Sequence, residues 1–129
     1  TNIILRFLLQ DYPPHNLLAN RLFSLINTGK VTGIVTSVII AELYWTLTGP
    51  KMKVNRSHAT QTLTKLLLSE NIHCQHKSAL VATLKLLESK NLDFADAYSY
   101  VRAKQAKKQI ASLDADFDKL DPHVRYRIS

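Results

Sequence analysis

The sequence has few of the residues that build disulfide frameworks and linkers. Its single cysteine, Cys74, cannot form an internal disulfide, which fits a reducing cytoplasm. Three glycines and four prolines occur without any low-complexity segment or repeat, so no domain boundary is marked. We therefore expect a single domain over residues 1–129, which is long enough to bury a core.

Long apolar runs are also missing. The most apolar stretch, residues 33–47, is interrupted by Thr36, Ser37 and Glu42, so we expect no membrane span. The printed sequence opens without a basic and then apolar leader. We therefore expect a cytoplasmic protein with no membrane partner.

The chain does have the composition of a globular protein, with 46% apolar and 21% charged residues. Its formal net charge is +7, and only three of the 17 Lys and Arg residues lie in residues 1–50. A basic balance favours a polyanionic partner such as nucleic acid or anionic lipid, although a basic surface alone also explains it.

The hydrophobic pattern predicts an α/β fold. Apolar residues recur with helical spacing in six segments, over residues 2–9, 15–29, 37–47, 57–68, 78–89 and 93–108. Ser37 suits the N-cap of the third helix. Short strands are predicted over residues 31–37, 71–74, 109–112 and 124–128. This alternation favours a parallel sheet, whose functional site would lie at the carboxyl ends of the strands.

Glu42 is the first candidate for chemistry, because it is the only charged residue between Ile34 and Thr48. A carboxylate in so apolar a helix is costly unless it is exposed, paired or bound to a metal. For this residue alone, the plainer interpretation is a solvent-facing glutamate.

Asp93 and Asp96 are the second candidate. Three residues apart on a helix, they lie roughly 60° from each other and so share one face. The helix macrodipole also explains acids at a helix start, so this pair alone does not establish a function.

The segment "DADFD" is the third candidate, with Asp114, Asp116 and Asp118 alternating. A calcium loop is excluded, because Lys119 stands where glycine is required and Arg125 where a bidentate glutamate is required. A solvated acidic loop is the remaining structural interpretation.

Together the three groups indicate more than each does alone. Glu42 and Asp114 each follow a predicted strand, and the pair of acids Asp93 and Asp96 begins a predicted helix. Hard divalent cations prefer oxygen ligands. One or two such ions can activate water and stabilise the leaving oxygen of a phosphodiester. Surrounding Lys and Arg residues would then supply phosphate contacts.

In four segments the sequence resembles PIN-domain nucleases, in the branch of VapC-like toxins of type II toxin–antitoxin pairs. Residues 1–13 resemble the opening of that family, and residues 36–47, 92–100 and 111–120 resemble its second, third and fourth motifs. The resemblance implies a three-layer α/β/α fold around a central, mostly parallel sheet. It also implies a ribonuclease that depends on Mg²⁺ or Mn²⁺.

The resemblance assigns roles to individual residues. The core acidic positions, expected to be catalytic and to bind the metal, are Glu42, Asp96 and Asp114. The additional metal ligands are Asp93 and Asp116, and the polar residues that support the site are Asn2 and Ser37. The candidates for contacts with RNA phosphates are Arg102, Lys104 and Lys107. Expected partners are the RNA substrate, a cognate antitoxin protein and a second copy of the chain.

The sequence departs from the family pattern at its start. The family has an Asp directly before the residues that match Thr1 and Asn2, and a hydrophobic strand before that. We expect the chain as given to be N-terminally incomplete relative to this pattern, with its first strand missing. The alternative is a genuine start without the first metal carboxylate. That alternative favours a non-catalytic PIN-like module that binds RNA or a protein.

Overall fold

The computed structural model describes residues 2–10 and 12–128. In chain order the elements are α1 (Asn2–Leu9), α2 (Pro13–Asn27), β1 (Gly33–Ile34), α3 (Ser37–Thr48), α4 (Arg56–Leu68), β2 (Ile72–His73), α5 (Lys77–Ser89), α6 (Phe94–Ala106) and α7 (Phe117–Leu120). The chain forms two compact units, Thr1–Lys77 and Ser78–Ser129. A single domain over residues 1–129 stays a prediction.

The first unit opens with a pair of helices. The prolines that separate α1 from α2 in the sequence also form the first turn of α2, where a missing backbone N–H costs nothing. Phe7 and Phe23 stack with their ring centroids 4.0 Å apart, which packs α1 against α2. The helix predicted over residues 15–29 is confirmed, with its start and its end both two residues earlier.

The N-cap of α3 lies one residue before the expected one. Thr36 is the N-cap, with an extended backbone, and its hydroxyl accepts a hydrogen bond of 3.3 Å from the Ile39 N–H. The prediction that Ser37 caps this helix is wrong, because Ser37 is already the first helical residue. Asn55 caps α4 in the same way, accepting a bond of 2.7 Å from the His58 N–H.

The sheet of the first unit is small. β1 and β2 pair in parallel, with Gly33 opposite Ile72 and Ile34 opposite His73. A Cβ atom on Gly33 would lie 2.7 Å from the Ile72 Cδ1, so a larger residue at this position would require the Ile72 side chain to move. Cys74 follows β2, and burial raises the pKa of its thiol despite the opposing charge of Lys77.

The second unit contains α5, α6 and α7. The strands predicted over residues 109–112 and 124–128 are reduced to one parallel bridge between Ile110 and Arg125. The Ile110 N–H donates to the Val124 carbonyl, and the Tyr126 N–H donates to the Ile110 carbonyl, each over 2.7 Å. A small core lies beside this bridge and consists of Ala103, Phe117 and Val124, with Tyr100, Ile110 and Leu120 packed against it.

The expected three-layer α/β/α arrangement is not shown. The described part of the chain is mostly helical, with seven helices and a single sheet of two strands. In a three-layer fold, helices cover both faces of the parallel sheet, so side chains on both sides of its strands are buried. Ile34 in β1 is 81% exposed, so that face of the strand is uncovered. None of the described helices combines the length and the apolar character needed to cross a bilayer.

Candidate functional site

The first turn of α6 presents two of the predicted acids. Asp93 is the N-cap residue, but its side chain makes no capping hydrogen bond. Phe94 and Ala97 point into the core, which leaves Asp93 exposed and Asp96 partly buried. The carboxylate of Asp93 is therefore not used to begin the helix, unlike the side chains that cap α3 and α4.

The loop before α7 presents two more of the predicted acids, Asp114 and Asp116. The Asp114 N–H donates to the Ser112 hydroxyl over 3.0 Å, and the Asp114 carboxylate accepts from the Asp116 N–H over 2.8 Å. These short-range bonds fix the turn, as aspartate commonly does in loops. Phe117, which follows directly, is buried and anchors the loop on the small core.

Three of the four acidic residues line one surface of the second unit. A shallow depression is lined by Asp96, Asp114 and Asp116 together with Leu92, Phe117 and Leu120. Burial raises the pKa of Asp96, and the negative charges of Asp93, Asp114 and Asp116 raise it further. Asp96 is thus the partly buried member of this acidic group.

The donor set fits a hard divalent cation. All four side chains offer carboxylate oxygens, the ligands that Mg²⁺ and Mn²⁺ prefer. Among the described residues, no three His, Cys, Asp or Glu side chains converge into a metal-binding group. Mg²⁺ commonly uses only one or two carboxylates and keeps several waters, so a pair of acids such as Asp96 and Asp114 is sufficient.

The remaining predicted ligands belong to the first unit. Glu42 is exposed on α3, and Ser37 is partly buried in the first turn of the same helix. The side chain of Asn2 lies outside the described residues. The participation of these three residues in the acidic site stays a prediction.

The predicted RNA contacts differ in their surroundings. Lys104 forms an ion pair with Asp121, and this pairing raises the pKa of the lysine and lowers the pKa of the acid. Lys107 is the exposed C-cap of α6, in a left-handed conformation, and Arg102 is partly buried. Lys104 is therefore engaged within the protein, and Lys107 is the better candidate for a phosphate contact.

Sequence reasoning missed a second set of ion pairs in this unit. The Nε and Nη2 atoms of Arg125 donate to the two carboxylate oxygens of Asp118, over 3.2 and 2.9 Å. This bidentate bond lowers the pKa of Asp118. Asp118 therefore has a structural role, although it belongs to the same "DADFD" segment as Asp114 and Asp116. The only signal in the sequence was Arg125 at the position where a calcium loop needs an acid.

A family profile described as PIN domain matches residues 1–122, nearly the whole chain. No curated protein matches the sequence. No solved structure matches it either.

Proposed function

Because the chain belongs to the PIN-domain family, whose members are commonly nucleases, we propose that it is a metal-dependent endoribonuclease. The observation that carries the proposal is the group of acids in the second unit, because Asp96, Asp114 and Asp116 line one depression. Burial there raises the pKa of Asp96, and the neighbouring negative charges raise it further. Like charges gathered on one surface contribute little to folding, whereas they suit a cation site.

The acids have distinct roles in this proposal. Asp96 and Asp114 hold Mg²⁺ or Mn²⁺, Asp93 and Asp116 add negative charge, and Glu42 is the third core carboxylate by resemblance to the family. The bound ion would supply an activated water and compensate the negative charge of the phosphodiester. Lys107 and Arg102 contact flanking phosphates. The products are a 5′-phosphate and a 3′-hydroxyl.

The biological role is also part of the proposal. The VapC-like resemblance supports a toxin that acts on RNA in the cytoplasm, is silenced by a cognate antitoxin protein and forms a homodimer. Ser37 and Asn2 would support the site through hydrogen bonds.

Replacing Asp96 tests the nuclease proposal. With Mn²⁺ present, we expect Asp96→Asn to cleave a single-stranded RNA at least 100-fold more slowly than the parent, within the range typical for loss of a catalytic charge (~10²–10³-fold). The isosteric change Glu70→Gln, at an exposed residue of the first unit, is the control and should cleave like the parent. Equal cleavage by the parent and Asp96→Asn would mean a contaminating nuclease and would refute the assignment.

A non-catalytic RNA-binding module is the second candidate. It is favoured by the finding that no three metal-binding side chains converge among the described residues. Calorimetric titration with Mn²⁺ separates the two candidates. Saturable binding that is lost in Asp114→Asn and in Glu42→Gln supports the enzyme. Absence of Mn²⁺ binding by a protein that still binds RNA supports the module.

A further inference from the structure

α3 exposes one face that carries an aromatic side chain. Its buried residues are Ile40, Leu43, Tyr44 and Leu47. Val38, Glu42 and Trp45 are exposed, and at this spacing they lie within about 60° of one another, on the opposite side of the helix. Trp45, the only tryptophan in the sequence, is 57% exposed. One exposed apolar residue is ordinary on a protein surface, so the neighbours of Trp45 decide what it does.

The loop after α3 is fixed against the end of that helix. The Val54 N–H donates to the Leu47 carbonyl over 2.8 Å, and the Lys53 N–H donates to the Gly49 carbonyl over 2.9 Å. A Cβ atom on Gly49 would lie 2.7 Å from the carbonyl oxygen of Trp45, so the loop backbone passes directly beside the last turn.

Two cations project from this loop. Lys51 and Lys53 are both exposed, and Lys53 adopts a φ of 52°, which is uncommon for a residue other than glycine. Residues 43–69 contain four Lys or Arg residues and no acid. The last turn of α3, which carries the exposed Trp45, therefore leads directly into a loop of uniformly positive charge.

We propose that Trp45, Lys51 and Lys53 bind single-stranded RNA, with an unpaired base stacked on the indole and flanking phosphates against the two lysines. Aromatic stacking combined with a basic surface is the general way in which proteins hold single strands. Paired bases are already stacked, so a duplex cannot offer the same contact.

This inference rests on the proposed ribonuclease function, because it places the bound base near a proposed metal carboxylate. Glu42 precedes Trp45 by three residues, about 4.5 Å along the helix axis. The negative charge of Glu42 alone would repel a phosphate, whereas a divalent cation there would attract it. Trp45 would thus hold the RNA strand close to the proposed metal carboxylate Glu42.

Because Trp45 is the only tryptophan, its fluorescence reports directly on this site. The full chain is titrated with an unstructured 12-nucleotide RNA in EDTA, and binding is followed in parallel by the anisotropy of a labelled RNA. We expect saturable quenching of the tryptophan emission with the same midpoint as the anisotropy change. A duplex of the same sequence should leave the emission nearly unchanged.

Variants separate the stacking from the charge. Trp45→Ala should weaken binding by about tenfold, and Trp45→Phe should retain most of the affinity, since loss of one stacked base typically weakens binding by about 5- to 150-fold. Lys51→Ala with Lys53→Ala should reduce the slope of log K against log salt by about 1.4, at ~0.7 per phosphate contact. The double control Lys30→Ala with Lys85→Ala removes the same charge at exposed positions elsewhere and should change the slope less.

Three results would overturn the inference. The first is RNA binding that leaves Trp45 emission unchanged. The second is a correctly folded Trp45→Ala variant, checked by circular dichroism, that binds RNA like the parent. The third is a change of emission on dilution of the protein alone, which would assign Trp45 to self-association. Since these measurements need no metal and no cleavage, their outcome is independent of whether Asp96→Asn abolishes nuclease activity.

Discussion

Asp96 shows how one residue is placed at the expense of stability. It is partly buried, and burial raises its pKa, which three neighbouring carboxylates raise further. A raised pKa means that the folded state disfavours the charged form relative to the unfolded chain. Placing Asp96 in this surrounding is therefore unfavourable for folding at neutral pH, as is common at functional sites.

The sign of this effect gives a pH-dependent prediction. The unfolded aspartate titrates near pH ~4, and the folded protein holds the proton to higher pH. Stability therefore falls as the pH rises from this value through the raised pKa of Asp96. We expect Asp96→Asn to raise the melting temperature at pH 7 and to have no such effect near pH 3. Thermal unfolding followed by circular dichroism at both pH values measures it, and an equal effect at both would contradict the electrostatic cause.

At the scale of residues, the sequence predicted the placement of some acids but not of others. Asp93 and Asp96 were expected to lie together from helical spacing, and Asp114 from its position after a predicted strand. The charges of Asp93 and Asp114 both act on Asp96 in the structure. The ion pair of Asp118 was not predictable, because its partner Arg125 lies seven residues away and outside the short helix that contains Asp118. No periodicity relates such positions.

At the scale of elements, helices were predicted better than strands. Helices depend on spacing within a segment, whereas a strand exists only through its partner. The four predicted strands are reduced to β1, β2 and the bridge between Ile110 and Arg125. Dependence on a partner strand also explains why the N-cap of α3 is Thr36. The Val35 N–H donates to the His73 carbonyl over 2.9 Å, which keeps the backbone extended up to Thr36.

A matched pair of variants tests where α3 begins. Thr36→Ala removes the capping hydroxyl and should lower the free energy of unfolding by about 1 kcal/mol. Ser37→Ala, one residue later inside the helix, should have little effect, since alanine favours the helix more than serine does. Urea denaturation of both variants gives the comparison. A larger loss for Ser37→Ala than for Thr36→Ala would place the cap at Ser37 after all.

At the scale of the whole molecule, the net charge of +7 is the dominant property, and it was readable from composition alone. Part of the positive charge is neutralised locally, since Lys104, Lys119, Arg125 and Arg127 form ion pairs with nearby acids. The net charge of the chain favours association with a polyanion.

This charge predicts how RNA affinity responds to salt. If three phosphates are contacted, log K should fall with log salt with a slope of about −2, at ~0.7 per contact on a single strand. We therefore expect the affinity for single-stranded RNA to fall more than tenfold between 50 and 200 mM salt. Filter binding in EDTA measures it. An affinity that does not change over this range would exclude phosphate contacts as the basis of binding.

The position of Cys74 after β2 has a practical consequence for spectroscopy. It is the only thiol of the protein, as Trp45 is the only indole, and both belong to the first unit. A maleimide dye would therefore attach at one place, slowly, because burial raises the pKa of the thiol. Energy transfer from the indole to that dye would report the unfolding of the first unit alone, without any engineered residue.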